Sequence, residues 1–356
     1  MASRMKDQVD MDQFENAEFE ENRTKNLNIV AIGGGSGLSV LLRGLKLVTK
    51  NVTAIVTVAD DGGGSGVLRE DLGMLPPGDI RNCILALANR EPILMDLMNY
   101  RFTEGMLKGQ NFGNLMLAAM VGISENFEEA VKKINDIFAV TGQVLPVTTQ
   151  DVILRAKLTN GHWVDGESKI PLAVIDENSR IEEIFLVPPK PKPTAEVITA
   201  IQNADIILMG PGSLYTSILP NLLVAEVSEA IMNSSAIKIY LANLMSQPGE
   251  TDGYSLRDYH QSLVKHSYPG IVSHVMVNRE RIDPEILERY EREHAEPVVI
   301  TKEDRAYFKK EKVCLIEGDF IETVKGYVRH DALKVSEQAI ALVDARVYKL
   351  KYSRKK

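Results

Sequence analysis

Short apolar runs alternate along most of the chain with stretches in which apolar residues recur every three or four positions. Residues 27–32 and 52–59 are apolar and partly β-branched, which is typical of strands buried on both faces of a sheet. Helical spacing follows the first run over residues 38–47 and returns at 194–203 and 255–266. This alternation predicts an α/β fold with a mainly parallel, Rossmann-like sheet flanked by helices.

The pattern changes to an alternation of single residues between about residues 144 and 187. Strands are predicted at 151–158 and 162–164, on either side of the hairpin dipeptide Asn160-Gly161. Two further strands are predicted at 171–175 and 181–187, before a proline-rich connector at 188–193. The sequence therefore predicts a β-rich insertion within a single α/β domain that covers residues 26–348.

Composition restricts the class of protein. The formal net charge is −8, which argues against general binding to nucleic acid or to a membrane surface. Residues 1–25 are polar and acidic, so we predict a disordered tail rather than a signal peptide, and residues 349–356 form a basic tail. No apolar run reaches the roughly 18 residues that a membrane span needs. We expect a cytoplasmic protein without membrane insertion.

The two cysteines, Cys83 and Cys314, lie far apart, and each is within an apolar run. They are predicted to be buried free thiols in a reducing compartment. The histidines show no spacing typical of metal ligands.

A glycine-rich turn joins the first predicted strand to the first predicted helix. It contains Gly33, Gly34, Gly35, Ser36 and Gly37. Glycines let a ligand approach the main chain, and the unpaired N–H groups at the helix start would point at an anion. Leu38 stands where the dinucleotide fingerprint has its third glycine, and no P-loop lysine follows. The turn therefore predicts a phosphate site that is neither a dinucleotide fingerprint nor a P-loop. A purely structural turn is the alternative.

An acidic, glycine-rich loop follows the second predicted strand and contains Asp60, Asp61, Gly63 and Ser65. In a doubly wound sheet, an acid at this place commonly holds a ribose hydroxyl. Two adjacent acids could also hold Mg²⁺, or they could only begin a turn.

Polar residues also precede several of the later helices. Asp79 suits the N-cap of a helix over residues 83–88. The positive charge of Arg81 is unfavourable at the N-terminus of this helix, unless a bound anion, Asp79 or Glu70 compensates for the charge. Asn82 and the helix-capping candidate Asn114 complete this group.

Three more candidate binding segments follow predicted strands or precede the last helix. Gly212 and Ser213 follow the strand over 205–209, and Asn243 follows the strand over 237–242. Arg329 precedes a helix that Asp331 would cap, and its guanidinium is suited to clamp a phosphate. No Ser-His-Asp arrangement accompanies Ser213, so we predict no catalytic residue.

Together these segments resemble the gluconeogenesis factor family, also called the YvcK family, within the CofD-like proteins. The motifs that carry the resemblance are Ala31-Ile-Gly-Gly-Gly-Ser-Gly37, Val58-Ala-Asp-Asp-Gly-Gly-Gly-Ser-Gly66, Pro76-Pro-Gly-Asp-Ile-Arg-Asn82, Asn111-Phe-Gly-Asn114, Gly210-Pro-Gly-Ser-Leu-Tyr-Thr-Ser217, Asn243-Leu-Met-Ser-Gln-Pro-Gly-Glu-Thr251 and Arg329-His-Asp331. One departure is Gly64, where the family pattern leads us to expect serine, so no side chain at that position can contact a phosphate.

The resemblance implies a cytoplasmic regulatory factor that is required for cell shape during growth on gluconeogenic carbon sources. It also implies a bound nucleotide sugar similar to UDP-N-acetylglucosamine. The uracil and ribose would lie near Asp60 and Asp61, the diphosphate near the first glycine turn, Arg81 and Arg329, and the opposite wall would contain Gly212 and Ser213. A homo-oligomer and cell-wall synthesis proteins are the implied partners.

The 2-phospho-L-lactate transferases among the CofD-like proteins imply an alternative function. In that case the protein would be a Mg²⁺-dependent phosphotransferase in which Asp60 and Asp61 hold the ion across a nucleotide diphosphate. A shared fold does not by itself transfer that activity.

Overall fold

A computed structural model describes residues 26–89 and 92–353 of the chain. The predicted acidic tail at 1–25 lies outside the described residues. The strands are β1 (Ile29–Gly33), β2 (Val52–Val56), β3 (Gln143–Pro146), β4 (Ile153–Leu158), β5 (Trp163–Asp165), β6 (Ile181–Val187), β7 (Ile206–Met209), β8 (Ile237–Leu241), β9 (His274–Asn278), β10 (Cys314–Gly318), β11 (Ile321–Val324) and β12 (Tyr327–His330).

Helices connect these strands and cover the sheet. They are α1 (Gly35–Val48), α2 (Gly63–Leu72), α3 (Gly78–Leu87), α4 (Pro92–Asn99), α5 (Phe112–Gly122), α6 (Phe127–Ile137), α7 (Ile170–Asp176), α8 (Ala195–Gln202), α9 (Leu219–Leu222), α10 (Ala225–Asn233), α11 (Leu256–Lys265), α12 (Pro284–Arg292), α13 (Lys302–Glu311) and α14 (Ala332–Ser353). A 3₁₀ turn covers Glu167–Lys169, and a π-helical turn covers Leu214–Ile218. No helix among the described residues is long and apolar enough to cross a membrane.

Seven parallel strands form the central sheet in the order β10-β9-β8-β7-β1-β2-β3. Every residue of β1, β2 and β7 is buried, as their continuous apolar sequences require. The strand order reverses between β1 and β7, because β2 and β3 extend the sheet on one side and β8 to β10 extend it on the other. This confirms the predicted Rossmann-like architecture and places its topological switch point at the carboxyl ends of β1 and β7.

The insertion contains a three-stranded antiparallel sheet in the order β5-β4-β6. The predicted hairpin around Asn160-Gly161 is confirmed. The predicted strand at 171–175 is wrong, because α7 occupies this segment. Pro171 suits the first turn of a helix, and the buried residues Ile170 and Val174 are four positions apart. The predicted start of the insertion is also too early, because β3 pairs with β2 in the main sheet.

Two further predictions differ from the structure. Cys83 is buried as expected, but Cys314 is exposed, because it begins β10 at the edge of the sheet. The predicted basic tail begins at residue 349, whereas α14 continues to Ser353, and lysines favour helix continuation. The final residues, 354–356, lie outside the described residues.

Candidate functional site

A cavity of about 560 Å³ opens at the switch point of the central sheet. The glycine turn after β1 and the loop after β7 lie side by side, and both line the cavity. The predicted binding residues that line this cavity are Gly34, Gly35, Ser36, Gly37, Asp60, Asp79, Gly212, Ser213, Asn243 and Arg329. Segments far apart in the sequence therefore meet where a doubly wound sheet binds its ligands.

The glycine turn is packed too closely for side chains at two positions. A Cβ atom on Gly34 would lie 2.7 Å from Asp79 Oδ2, and one on Gly37 would lie 3.0 Å from the carbonyl oxygen of Pro211. Gly35, the first residue of α1, has a φ of +66°, which glycine adopts without strain. These glycines bring α1, Asp79 and the loop after β7 into contact around the cavity.

Side chains from the loop after β8 hold in place the part of the wall that the loop after β7 forms. The Asn243 amide donates a 2.8 Å hydrogen bond to the carbonyl oxygen of Gly212, and the Ser213 hydroxyl donates to Gln247 Oε1. Asn243 and Gln247 both line the cavity themselves. The side chains of one loop therefore fix the backbone of the other.

Glu250, which the sequence analysis did not single out, is buried behind this wall. Its Oε1 accepts a 3.0 Å hydrogen bond from the Thr216 hydroxyl, and its Oε2 accepts from the backbone N–H of Tyr215 at 3.2 Å. Burial raises the pKa of Glu250 to about 7, although these hydrogen bonds favour the ionised form. The only sequence signal was its place within the Asn243–Thr251 motif.

Three acids line the cavity, namely Asp60, Asp79 and Glu167. Burial raises the pKa of Asp79 to about 6 and that of Glu167 to about 8, and the charge of Asp60 adds to both shifts. Burial also raises the pKa of Asp60. Ionising all three would bring like charges together in a poorly hydrated space, so this part of the cavity favours protons, hydroxyl groups or a cation.

Glu167 comes from the β-rich insertion and was not predicted as a site residue. The 3₁₀ turn that carries it is fixed to the main body because the backbone N–H of Ser168 donates to Asp61 Oδ1 at 2.8 Å. Asp61 therefore positions the insertion and does not line the cavity. Its neighbour Asp60 accepts a hydrogen bond from the Gly62 N–H at 2.9 Å, as a turn-forming aspartate does.

Arg81 lies behind the cavity wall, among amide side chains. Its guanidinium donates to Asn114 Oδ1 at 2.9 Å and to Asn82 Oδ1 at 2.6 Å, and the residue is buried. Burial lowers the pKa of Arg81, and the neighbouring Arg101 acts in the same direction. Asn111 caps α5 by accepting from the Asn114 N–H, so these amides have structural partners.

The remaining predicted residues also lie outside the cavity lining. The Gly33 carbonyl at the end of β1 accepts hydrogen bonds from the Thr57 N–H and from the Asn221 amide. Gly63 begins α2 with a φ of +48°, and the Ser65 hydroxyl accepts from the Gly78 N–H at 3.2 Å. The second glycine loop therefore shapes the edge of the site through its backbone.

The cationic side of the cavity comes from the β11–β12 hairpin. Arg329 is exposed on β12 and lines the cavity together with Tyr327 and His330. His330 is buried, its Nε2 lies 3.1 Å from the carbonyl oxygen of Ala242, and burial lowers its pKa to about 4. His330 is therefore neutral near pH 7, and Arg329 supplies the positive charge on this side.

The described residues contain no group of three or more His, Cys, Asp or Glu side chains that could hold a metal ion. A Mg²⁺ ion would therefore need phosphate oxygens or water to complete the ligand set that Asp60 can begin, which is the usual way that proteins bind this ion.

A doubly wound sheet with a glycine turn at its switch point defines a Rossmann-like ligand-binding protein. Residues 29–321 match the family model described as 2-phospho-L-lactate transferase CofD. The chain belongs to the CofD family and, within it, to the group that contains the gluconeogenesis factors.

Its relatives share most of their length with it. A protein of Thermoanaerobacterium thermosulfurigenes is 55% identical over 316 residues, which cover 89% of this chain and 97% of the relative. The gluconeogenesis factor of Bacillus subtilis is 44% identical over 316 residues, covering 88% of this chain and 98% of its own. A crystal structure of a Bacillus halodurans protein superposes with a TM-score of 0.85 at 44% identity, over 89% of this chain and all of that one.

Proposed function

We propose that this protein is a cytoplasmic regulatory factor that binds a nucleotide sugar of the UDP-N-acetylglucosamine kind and supports cell shape during growth on gluconeogenic carbon sources. The names of its relatives connect it with gluconeogenesis. The predicted site residues that line the cavity would supply the chemistry of binding.

One observation carries the proposal: the glycine turn at the start of α1 and the adjoining residues Gly212 and Ser213 together line a cavity at the switch point. The N–H groups in the first turn of a helix attract phosphate, and the cavity volume is within the range of small-molecule sites. The diphosphate would lie in the cavity beside the N–H groups of the glycine turn, with Arg329 nearby. Asp60 and Glu167 are suited to accept hydrogen bonds from sugar hydroxyls.

A second candidate function is a Mg²⁺-dependent phosphotransferase. The acids that line the cavity support it, because Mg²⁺ is commonly bound by one or two carboxylates together with phosphate oxygens. Asp60 is the better candidate ligand of the predicted pair, since it lines the cavity and Asp61 does not. The ion would neutralise charge on a nucleotide diphosphate, and the chain would need a second substrate.

Titration calorimetry with UDP-N-acetylglucosamine, UDP-glucose, GDP and NAD, each with and without Mg²⁺, tests both functions. A regulatory factor should bind the UDP sugar selectively and return it intact. GDP binding that requires Mg²⁺, with release of a nucleotide monophosphate when acceptors are added, would favour the transferase. The absence of saturable binding to any of these ligands would exclude both.

The variant Arg329→Ala tests the placement of the diphosphate. We expect a loss of affinity of roughly tenfold to a hundredfold, because a hydrogen bond to a charged group contributes about 1.5 to 3 kcal/mol. The thermal midpoint should stay unchanged, since Arg329 is exposed on β12. Arg279→Ala is the matched control, because this exposed arginine pairs with Asp319 and does not line the cavity. Unchanged affinity in Arg329→Ala would remove Arg329 from the site.

A further inference from the structure

The glycine turn already holds an anionic group of the protein itself. Asp79, on α3, accepts a hydrogen bond from the backbone N–H of Gly35 through Oδ2 at 2.6 Å. Gly35 is the first residue of α1, whose own first turn contains no acid and whose N-cap residue, Gly34, offers no side chain. A carboxylate from a neighbouring helix therefore acts as the cap of α1.

This carboxylate is packed tightly against the turn. The backbone of Gly34 packs against it so closely that a Cβ atom there would lie 2.7 Å from Oδ2. Asp79 lies in the first turn of α3, directly before the buried residues Ile80 and Arg81, which anchor this turn. A ligand phosphate on this wall must bind beside the carboxylate, at the next N–H groups of the turn.

The groups around Asp79 leave its charge largely uncompensated. Asp60, from the loop after β2, has the same sign. Arg81 attracts Asp79, but its guanidinium donates to Asn82 and Asn114 instead of to Asp79. Cys83 is fully buried, and its raised pKa keeps the thiol neutral. Near pH 7.5 the pKa of about 6 leaves Asp79 mostly ionised.

We propose that Asp79 is a specificity-determining residue that selects a doubly esterified diphosphate over a terminal phosphate. This inference rests on the proposed function and names the chemical feature by which the site distinguishes its ligands. The diphosphate of a nucleotide sugar is esterified at both ends, so each of its two phosphates carries a single negative charge. The terminal phosphate of a free nucleoside diphosphate carries up to two, and the second charge meets the carboxylate on Gly35.

The size of the effect follows from Coulomb's law. Repulsion between two unit charges about 4 Å apart lowers the affinity roughly fivefold when water screens them. The affinity falls considerably more in a partly buried site. We therefore expect the protein to bind a UDP sugar at least roughly tenfold more tightly than UDP in a buffer without Mg²⁺.

The variant Asp79→Asn tests the assignment. The amide oxygen can still accept from the Gly35 N–H, so the turn keeps its cap while the charge is lost. Affinities for a UDP sugar, UDP and inorganic pyrophosphate are measured by calorimetry at pH 7.5 with a chelator present. We expect UDP and pyrophosphate to gain roughly tenfold in affinity, and the preference for the sugar ester to shrink accordingly. Asp176→Asn is the control, because it removes the same charge from an exposed residue outside the cavity. This variant should leave the affinities for the UDP sugar, UDP and pyrophosphate unchanged.

The outcomes separate this inference from the proposed function. Equal affinity for UDP and the UDP sugar in the unchanged protein would overturn the inference even if the variant does not fold. If no nucleotide binds, the proposed function fails. The affinity for pyrophosphate then still tests whether Asp79 repels a phosphate at the glycine turn. Equal affinity of Asp79→Asn and the unchanged protein for pyrophosphate would then overturn the assignment.

Discussion

Glu250 and His330 hold the two sides of the site through buried polar contacts. Glu250 binds the backbone and hydroxyl of the loop after β7, and His330 binds the carbonyl oxygen of Ala242 at the end of β8. Burial acts on them with opposite signs, because it raises the pKa of the acid and lowers that of the imidazole. Both residues are therefore neutral in a larger fraction of folded molecules than in free peptides.

The contribution of Glu250 to stability should depend on pH. Its pKa of about 7 lies above the ordinary value of 4.5, so its contribution is fully present below pH 4.5 and is lost as the pH rises through 7. Between pH 5 and 8 the loss should approach roughly 3 kcal/mol, since one pKa unit corresponds to about 1.4 kcal/mol. Glu250→Gln keeps an acceptor for the Tyr215 N–H and has no charge to bury.

Urea unfolding of both proteins at several pH values measures this difference. The free energy of unfolding of the unchanged protein should fall relative to that of Glu250→Gln as the pH rises. Parallel curves from pH 5 to 8 would mean that Glu250 does not titrate in this range.

At the scale of elements, α1 is the helix on which the site depends. It packs against α3, which carries Asp79, and against α14. The contact with α14 is close at Gly44, where a Cβ atom would lie 2.3 Å from the carbonyl oxygen of Ala332. Because the obstructing atom belongs to the backbone, the two helices would have to separate to accept any side chain.

Gly44→Ala should therefore destabilise the protein by about 1 to 3 kcal/mol, which is the usual cost of overpacking, although alanine favours helices. Gly122→Ala is the matched control, because Gly122 also lies in a helix and a Cβ there meets nothing within 4 Å. Chemical denaturation of the two variants compares them directly. Equal stability would show that α14 adjusts at little cost.

At the scale of the whole molecule, the β-rich insertion is bound to the main body at several places. Arg69 on α2 donates to the carbonyl oxygen of Val152 at 2.5 Å, and the backbone N–H of Ile184 donates to His266 Nε2 at 3.2 Å. The hydrogen bond between Ser168 and Asp61 fixes the turn that brings Glu167 into the cavity. The insertion thus contributes both to the site and to the common core.

We therefore expect the insertion and the main body to unfold in one cooperative transition. Calorimetry should give a single peak, and amide exchange in β4 and β6 should slow to the rate of the central sheet. A separate transition, or early exchange confined to residues 153–187, would make the insertion an independent unit.

Features that depend on neighbouring residues could be predicted from the sequence alone. Continuous apolar runs predicted the buried strands β1, β2 and β7, and the dipeptide Asn160-Gly161 predicted the hairpin. One local cap was also predicted, since the Asp331 carboxylate accepts a hydrogen bond from the Lys334 N–H. The glycine turns could be placed at strand ends because turn formation needs only a few residues.

The partners of side chains on distant segments depend on the three-dimensional fold and could not be predicted from local patterns. Asp79 caps α1 instead of its own helix, Arg81 turns toward the amides Asn82 and Asn114, and Glu167 reaches the cavity from the insertion. Long-range packing also made residues 170–176 a helix, because Ile170 and Val174 are buried together. Periodicity fixes which face of a segment is apolar, but the partner that each polar group meets is set by the path of the whole chain.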